Sequence, residues 1–253
     1  MSAGRLGHPR VHLRRTGSTN DRARELAIAG APHGTLVTAA EQTAGRGRQG
    51  RQWAAPAGSS VLASLLLRSP PPLLPLLAAV AVCDVVGARA AIKWPNDVVV
   101  EHDEGGGEGR GGLAKLAGIL IEGRPQQGWA VLGIGINVAV RLEQLPPRLR
   151  AETPPDAGPG TGLPAATLGL DRAEVEPTLA RLLEQLARRL REPAQQTLEA
   201  WRARDALRGR DVSWTGGSGR AAGIDGDGRL LVALARGGQV ALAAGEVQLV
   251  RIG

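Results

Sequence analysis

Of the 31 lysine and arginine residues in this 253-residue chain, only two are lysine, Lys93 and Lys115. Asparagine is as scarce, with three: Asn20, Asn96 and Asn137. All five fall in short stretches of unusual composition, GSTND (17–21), KWPND (93–97), KLAGIL (115–120) and GIGIN (133–137). An ammonium is a compact charge with three donors, which a guanidinium fork does not reproduce. An amide offers a donor and an acceptor together without net charge. A compositional bias alone would leave such survivors scattered. Their coincidence with motifs points to chemistry that needs them.

A further stretch, Gly45-Arg46-Gly47-Arg48-Gln49-Gly50, fits G-x-G-x-x-G. In a dinucleotide fold these glycines open a helix, and an acid about twenty residues later holds the ribose. Here RQWAAPAG (51–58) continues irregularly, and Ser69 and three prolines stand where the acid belongs. It is not a Rossmann turn. The loop still suits phosphate, because glycines permit close backbone approach and Arg46, Arg48 and Arg51 can bind phosphoryl oxygens. Such a loop is expected to be mobile while empty and ordered by an anion. Trp53, just beyond it, offers a flat face for stacking a base. A solvated basic loop beside a core tryptophan is the plainer alternative. His8, His12, His33 and His102 have no metal-ligand spacing, and no serine–histidine–acid arrangement stands out.

The elements that must carry these residues follow from pattern. Ser18 to Asp21 open a helix running to about Ala29, with Gly30 as its stop. Strands are expected at 35–42, 59–68, near 91–100, 116–123 and 128–138, and an apolar helix starts at Pro75 and ends near Gly87. EHDEGGGEGRGG (101–112) is too rich in glycine and charge to form core, and 145–164 reads as another long connection. Val175, Leu179, Leu182, Leu183, Leu186 and Leu190 recur at helical spacing, with Pro177 making the start of that helix uncertain. A further helix covers about 194–206. Past Gly209 the chain changes to short alternating strands with turns at GGSG (216–219), DGDG (225–228) and RGG (236–238). The expected division is 1–207 and 208–253, the second part a small β-barrel.

Bulk properties narrow the class. The chain has no tyrosine or phenylalanine, so its core must be aliphatic with five tryptophans. The net charge of +7 comes from arginine spread along the whole length, which suits attraction of anionic ligands better than a dedicated nucleic-acid face. A single cysteine, Cys83, cannot form an internal disulfide, and a reducing cytoplasm is the expected location. No targeting segment is evident, and the apolar run 73–83 is too short to span a membrane.

Taken together and in order, STN (18–20), EQTAGRGRQGRQW (41–53), KWPND, KLAGIL, GIGIN and a C-terminal GID…GEV (223–247) resemble the biotin–protein ligases. The resemblance covers most of the chain and is most specific in GRGRxGRxW with KWPND. It implies an α+β fold: a mixed-sheet catalytic domain flanked by helices, class II synthetase-like, followed by a small SH3-like barrel. Members that read DNA carry an N-terminal winged helix-turn-helix, and STN at residue 18 leaves no room for one. The resemblance therefore implies the monofunctional type without specific DNA binding or membrane attachment; a homodimer is compatible with it.

The implied reaction joins biotin and ATP, with Mg²⁺, into biotinyl-5′-AMP, then transfers biotin to a lysine of a biotin carboxyl carrier protein. Lys115 and Arg48 are the implied catalytic residues. Biotin is expected at Ser18, Thr19, Asn20, Gln42, Gly45, Arg46, Gly47, Arg48, Lys115, Gly118, Gly133 and Gly135. ATP is expected at Arg46, Arg48, Arg51, Trp53, Lys93, Asn96, Asp97, Lys115 and Asn137. Asp97 could hold Mg²⁺ through water, orient Lys93 or an arginine, or make a structural ion pair. Ser18 could equally cap its helix. Two rivals remain: a lipoate–protein ligase, whose substrate lacks the urea that Ser18, Thr19, Asn20 and Gln42 suit, and a non-catalytic nucleic-acid-binding regulator, which should interleave basic and exposed aromatic residues.

Overall fold

The structure, a computed structural model, describes residues 5–102, 112–124, 128–145, 163–243 and 247–249. Its larger sheet has seven strands: β1 (Arg10–Leu13), β2 (Leu36–Ala39), β3 (Ser60–Arg68), β4 (Ala90–Lys93), β5 (Asp97–His102), β6 (Gly112–Arg124) and β7 (Trp129–Asn137). Their spatial order is β1-β2-β3-β7-β6-β5-β4. β1 and β2 run parallel and the other neighbours antiparallel, so the sheet is mixed as expected.

One helix, α1 (Thr19–Ile28), covers one face near β2, β3 and β7, while α2 (Leu74–Val86), α3 (Val175–Arg189) and α4 (Ala194–Arg202) form the layer on the other. α2 has no polar face over its first ten residues, all but Pro75 being buried. It lies between the sheet and α3 and α4, and a helix walled in on every side has no use for a polar stripe. α3 instead shows a leucine face, Leu179, Leu182 and Leu186 being buried. Pro177 falls in its first turn, where the missing N–H is no loss.

Asp84, near the end of α2, ties this layer together. Its carboxylate accepts from Arg189 Nε at 2.7 Å and Nη2 at 3.0 Å, from Arg188 at 2.8 Å and from Arg204 at 2.9 Å. Arg189 is only 8% exposed. Asp84→Ala would strand these guanidinium groups, leaving Arg189 with Glu192 alone among the carboxylates described near it. The expected loss is about 3 kcal/mol, seen as a Tm lower by roughly 10 °C; an unchanged melting curve would deny the cluster that role.

Residues 211–242 with 248–249 build a five-stranded antiparallel sheet ordered β11-β10-β9-β8-β12, the small all-β module that the turn-rich ending implied. Its strands are β8 (Asp211–Trp214), β9 (Gly217–Ile224), β10 (Leu230–Ala233), β11 (Gln239–Leu242) and β12 (Gln248–Leu249). It docks on the KWPND hairpin: Trp94 Nε1 donates to Gly228 O at 3.1 Å and Lys93 Nζ to Val247 O at 2.8 Å. The edge of β4 is covered too, since Ile92 exchanges backbone hydrogen bonds with residues 204 and 206.

Several boundaries differ from the sequence reading. The expected strand near 91–100 is two, β4 and β5, turned back through Trp94-Pro95-Asn96 so that Lys93 faces Asp97. Proline cannot donate to a ladder, so a central strand cannot run through it. Residues 10–13, for which no element was expected, form β1. β2 stops at Ala39, short of Gln42, because the chain leaves the sheet to form the glycine loop, and α4 ends at Arg202. β5 and β6 extend to His102 and Gly112, which pair; residues 103–111 of the acidic insertion and 146–162 of the second connection lie outside the described residues. No helix among the described residues is long and apolar enough to cross a membrane.

Candidate active site

Strand periodicity opens the site. Val61, Ala63, Leu65 and Leu67 of β3, and Ala130, Leu132, Ile134 and Ile136 of β7, join the core under α2 and α3. The alternate positions face the other way. There Ser64 lies opposite Gly133, Leu62 opposite Gly135 and Ser60 opposite Asn137, while β6 brings Gly118 beside Gly135 and Leu120 beside Gly133. Small side chains on three adjacent strands leave a cleft of about 170 Å³ on this face.

Two glycines are needed for close approach. A Cβ on Gly133 would strike the Asn20 amide, and one on Gly135 would lie 2.6 Å from the Trp53 ring. Gly118 is crowded by the same indole and by Lys115. Trp53 therefore lies across the glycines of β6 and β7, with the Lys115 ammonium 5.7 Å from the ring centroid. Its buried Nε1–H has no partner among the described residues.

One end of the cleft is neutral and polar. The Thr19 N–H donates to Gln42 Oε1 at 2.7 Å, and the two hydroxyl oxygens of Thr19 and Ser64 are 2.8 Å apart. Ser64 also donates to Asn20 Oδ1 at 2.6 Å. Ser18 is the N-cap residue of α1, but its side chain does not make the capping hydrogen bond expected of it; its carbonyl accepts the first ordinary bond of the helix, from Arg22 N. Ser18, Thr19, Asn20 and Gln42 all line the cleft.

The glycine loop folds as a short hairpin over this site. Trp53 N donates to Gly45 O at 2.9 Å and Gly47 N to Arg51 O at 2.7 Å. Gly45 does not line the cleft; a Cβ there would collide with the Trp53 carbonyl, so its smallness lets the hairpin close. Arg46, expected at both ligands, pairs with Asp21 at 2.6 Å and Glu122 at 3.1 Å beside the polar end. Arg48 reaches the opposite way, donating to Asn96 Oδ1 at 3.2 Å.

That opposite end is cationic. Lys93, Lys115, Arg48 and Arg51 line it with a single carboxylate, Asp97. Lys115 Nζ is 2.7 Å from Asp97 Oδ1. Burial pushes the pKa of Lys93 down, Asp97 opposes the shift, and Lys115, Arg51 and Arg48 add to it. Arg48 is shifted down as well, again by burial first. Cations held this close together with one counter-charge favour an incoming anion. Asn137 is tied to the wall: its Nδ2 donates to Ala166 O at 2.9 Å, and Ser60 approaches its Oδ1 at 3.4 Å. The same segment brackets Lys115, whose N donates to Pro164 O and whose O accepts from Ala166 N.

No group of three metal-ligating side chains occurs among the described residues. Asp97 alone faces the cationic end, so the donor set suits a magnesium ion brought in by phosphate oxygens, not one held in a protein cage.

Three contributors escaped the sequence reading. Ser64 was signalled only as a serine within the apolar run SVLASLLLR. Glu122 was signalled as the lone charge ending KLAGILIE. Val247 reaches the cleft from the small module; it closes the GEV stretch of the resemblance, to which no site role was given.

The model of the biotin/lipoate A/B protein ligase family matches residues 12–138, and that of the biotin protein ligase C-terminal domain matches 211–250. Over 251 residues the chain is 36% identical to a biotin–[acetyl-CoA-carboxylase] ligase of Mycobacterium tuberculosis, covering 92% of this chain and 85% of the relative. A bifunctional ligase/repressor of Bacillus spizizenii is 40% identical over 145 residues, 53% of this chain. The chain spans only 41% of that relative's length. Among solved structures, the biotin protein ligase of Aquifex aeolicus in complex with biotin and ATP superposes with a TM-score of 0.69 at 25% identity, covering 97% of this chain and 100% of that one.

Proposed function

The chain belongs to the biotin/lipoate A/B protein ligase family, and from that membership we propose that it activates biotin with ATP and attaches it to a carrier-protein lysine. The observation that carries this reading is the two-ended cleft: neutral donors and acceptors at one end, clustered cations at the other, and Lys115 beside the glycines between them. A urea needs donors and acceptors without net charge; a carboxylate and a triphosphate need fixed positive charge to meet at all. The Mycobacterium relative's name and the ligands of the Aquifex structure agree with this chemistry.

In the first step a biotin carboxylate oxygen attacks the α-phosphorus of ATP, the bond from that phosphorus to the bridging oxygen breaks, and pyrophosphate leaves. Lys115 neutralises the charge shared by the attacking carboxylate and the α-phosphoryl oxygens. Asp97 holds its ammonium in place. Arg48, with Arg51, draws the hairpin over the phosphates and keeps water from the mixed anhydride. Trp53 and Asn137 supply a stacking face and an amide for the nucleotide. Magnesium carried by the triphosphate would add charge neutralisation, and Asp97 is the carboxylate that would hold it through water. In the second step the acceptor lysine amine attacks the acyl carbon, an amide forms and AMP leaves. The domain division belongs to this proposal: 1–207 performs the chemistry, and 208–253 buttresses the nucleotide end through Lys93 and Trp94. The natural acceptor is a biotin carboxyl carrier domain of acetyl-CoA carboxylase.

The polar end decides the acid. Offered biotin and lipoate at equal concentration with ATP, the protein should form biotinyl-AMP in large excess by mass spectrometry. Equal or greater lipoyl-AMP would shift the assignment to the lipoate branch of the family.

A further inference from the structure

Glu122 sits on β6 behind the polar end and is not among the residues lining the cleft. Its two oxygens serve two different elements. Oε2 accepts from Asn20 Nδ2 at 2.9 Å, and Oε1 lies 3.1 Å from Arg46 Nη2. Asp21 Oδ1 meets the same arginine at 2.6 Å, so Arg46 at the base of the hairpin is gripped from α1 and β6 together.

The Asn20 contact has a directional consequence. An ionised carboxylate only accepts hydrogen bonds, so Glu122 holds the NH₂ of Asn20 towards itself. The Leu120 carbonyl lies on the same side at 3.4 Å. Asn20 Oδ1 is thereby turned to Ser64, whose hydroxyl must donate, because an amide oxygen has no hydrogen to give. With that hydrogen spent, Ser64 has none left for Thr19, 2.8 Å away, and the single Thr19 hydroxyl hydrogen is shared between Ser64 and Gln42 Oε1, 3.0 Å away. Donation then runs one way, from Ser64 through Asn20 to Glu122. Without the carboxylate an asparagine amide could turn over and reverse the sense of the chain.

Resting on the ligase reading above, we propose that Glu122 is a positioning residue for biotin: it sets the hydrogen-bond polarity of the pocket's urea end and latches the glycine loop through Arg46. It touches no substrate, and it acts on the biotin end alone. The cationic end is held by other contacts, Lys115 with Asp97 and Arg48 with Asn96.

The test compares Glu122→Met, which removes both contacts at similar volume, with Glu122→Gln, whose single amide oxygen can satisfy Asn20 or Arg46 but not both. Adenylate synthesis is followed with biotin and ATP varied separately, and Tm is recorded for each protein. Glu122→Met should raise the KM for biotin by about tenfold or more, the effect of losing charge-assisted hydrogen bonds. Glu122→Gln should fall between it and the wild type, with the KM for ATP and kcat within about twofold for both. Parallel rises in both KM values would mean general loosening and overturn the proposal, as would two variants indistinguishable from wild type. A wild type that forms no adenylate would bring down the ligase reading itself, which separates the two failures.

Discussion

Lys115→Arg is expected to lower biotinyl-adenylate synthesis by about two to three orders of magnitude, the usual loss when one preorganised charge is removed from a transition state. The substitution keeps the formal charge, so the effect is one of shape. The Lys115 backbone is fixed on both sides by residues 164 and 166. Its ammonium stands 2.7 Å from Asp97 and 5.7 Å from the Trp53 ring centre, and its end presses close to Gly118. A guanidinium is wider and spreads its charge across a plane. It must displace Trp53 or turn its fork onto Asp97, and either leaves the reacting carboxylate and phosphate without a point charge between them. Since the side chain is 28% exposed, the fold should tolerate the change, and an unaltered Tm is the control. Adenylate measured within threefold of wild type by mass spectrometry would remove Lys115 from the chemistry.

Arg48→Gly should fail in a different way. Arg48 ties the hairpin tip to Asn96 across the cationic end. Glycine removes that tie and makes the tip more costly to order. Synthesis of the adenylate should survive in part, but the mixed anhydride should leave about ten to a hundred times faster, because lid opening sets its residence. The readout is biotin on bystander lysines: an unrelated protein in the same tube should become labelled in proportion to time and ATP. Labelling confined to the carrier domain, with adenylate retained as in the wild type, would contradict closure by Arg48.

Much of the site could be read before any fold was known, for a physical reason. Rare residue types in short motifs mark places where neither arginine nor a hydrophobe can substitute, and Lys93, Lys115, Asn20, Asn96 and Asn137 all reach one cleft. The glycines of GIGIN and KLAGIL were legible as places needing close approach. Contacts across strands were not. Ser64 acquires its meaning only when β3 lies against β7 with Gly133 opposite, and Glu122 only when α1 and the hairpin fold back on β6. Arg46 lines the cleft as expected, but its two carboxylate partners, distant in sequence, were not legible. The fold was legible in kind but not at its edges. β1 is four alternately half-buried residues, too short to announce itself as a strand by its pattern. The β4–β5 turn hid inside an apolar stretch, and the grip of the small module on Lys93 and Trp94 spans 154 and 134 residues of sequence.

Biotin-dependent exchange of labelled pyrophosphate into ATP is the most direct test of the central claim, because it reports reversible adenylate formation without needing the carrier protein. With magnesium present, the purified chain should support exchange that requires biotin and disappears in Lys115→Arg. No exchange, or exchange that proceeds equally without biotin, would contradict the assignment of this cleft to biotin activation.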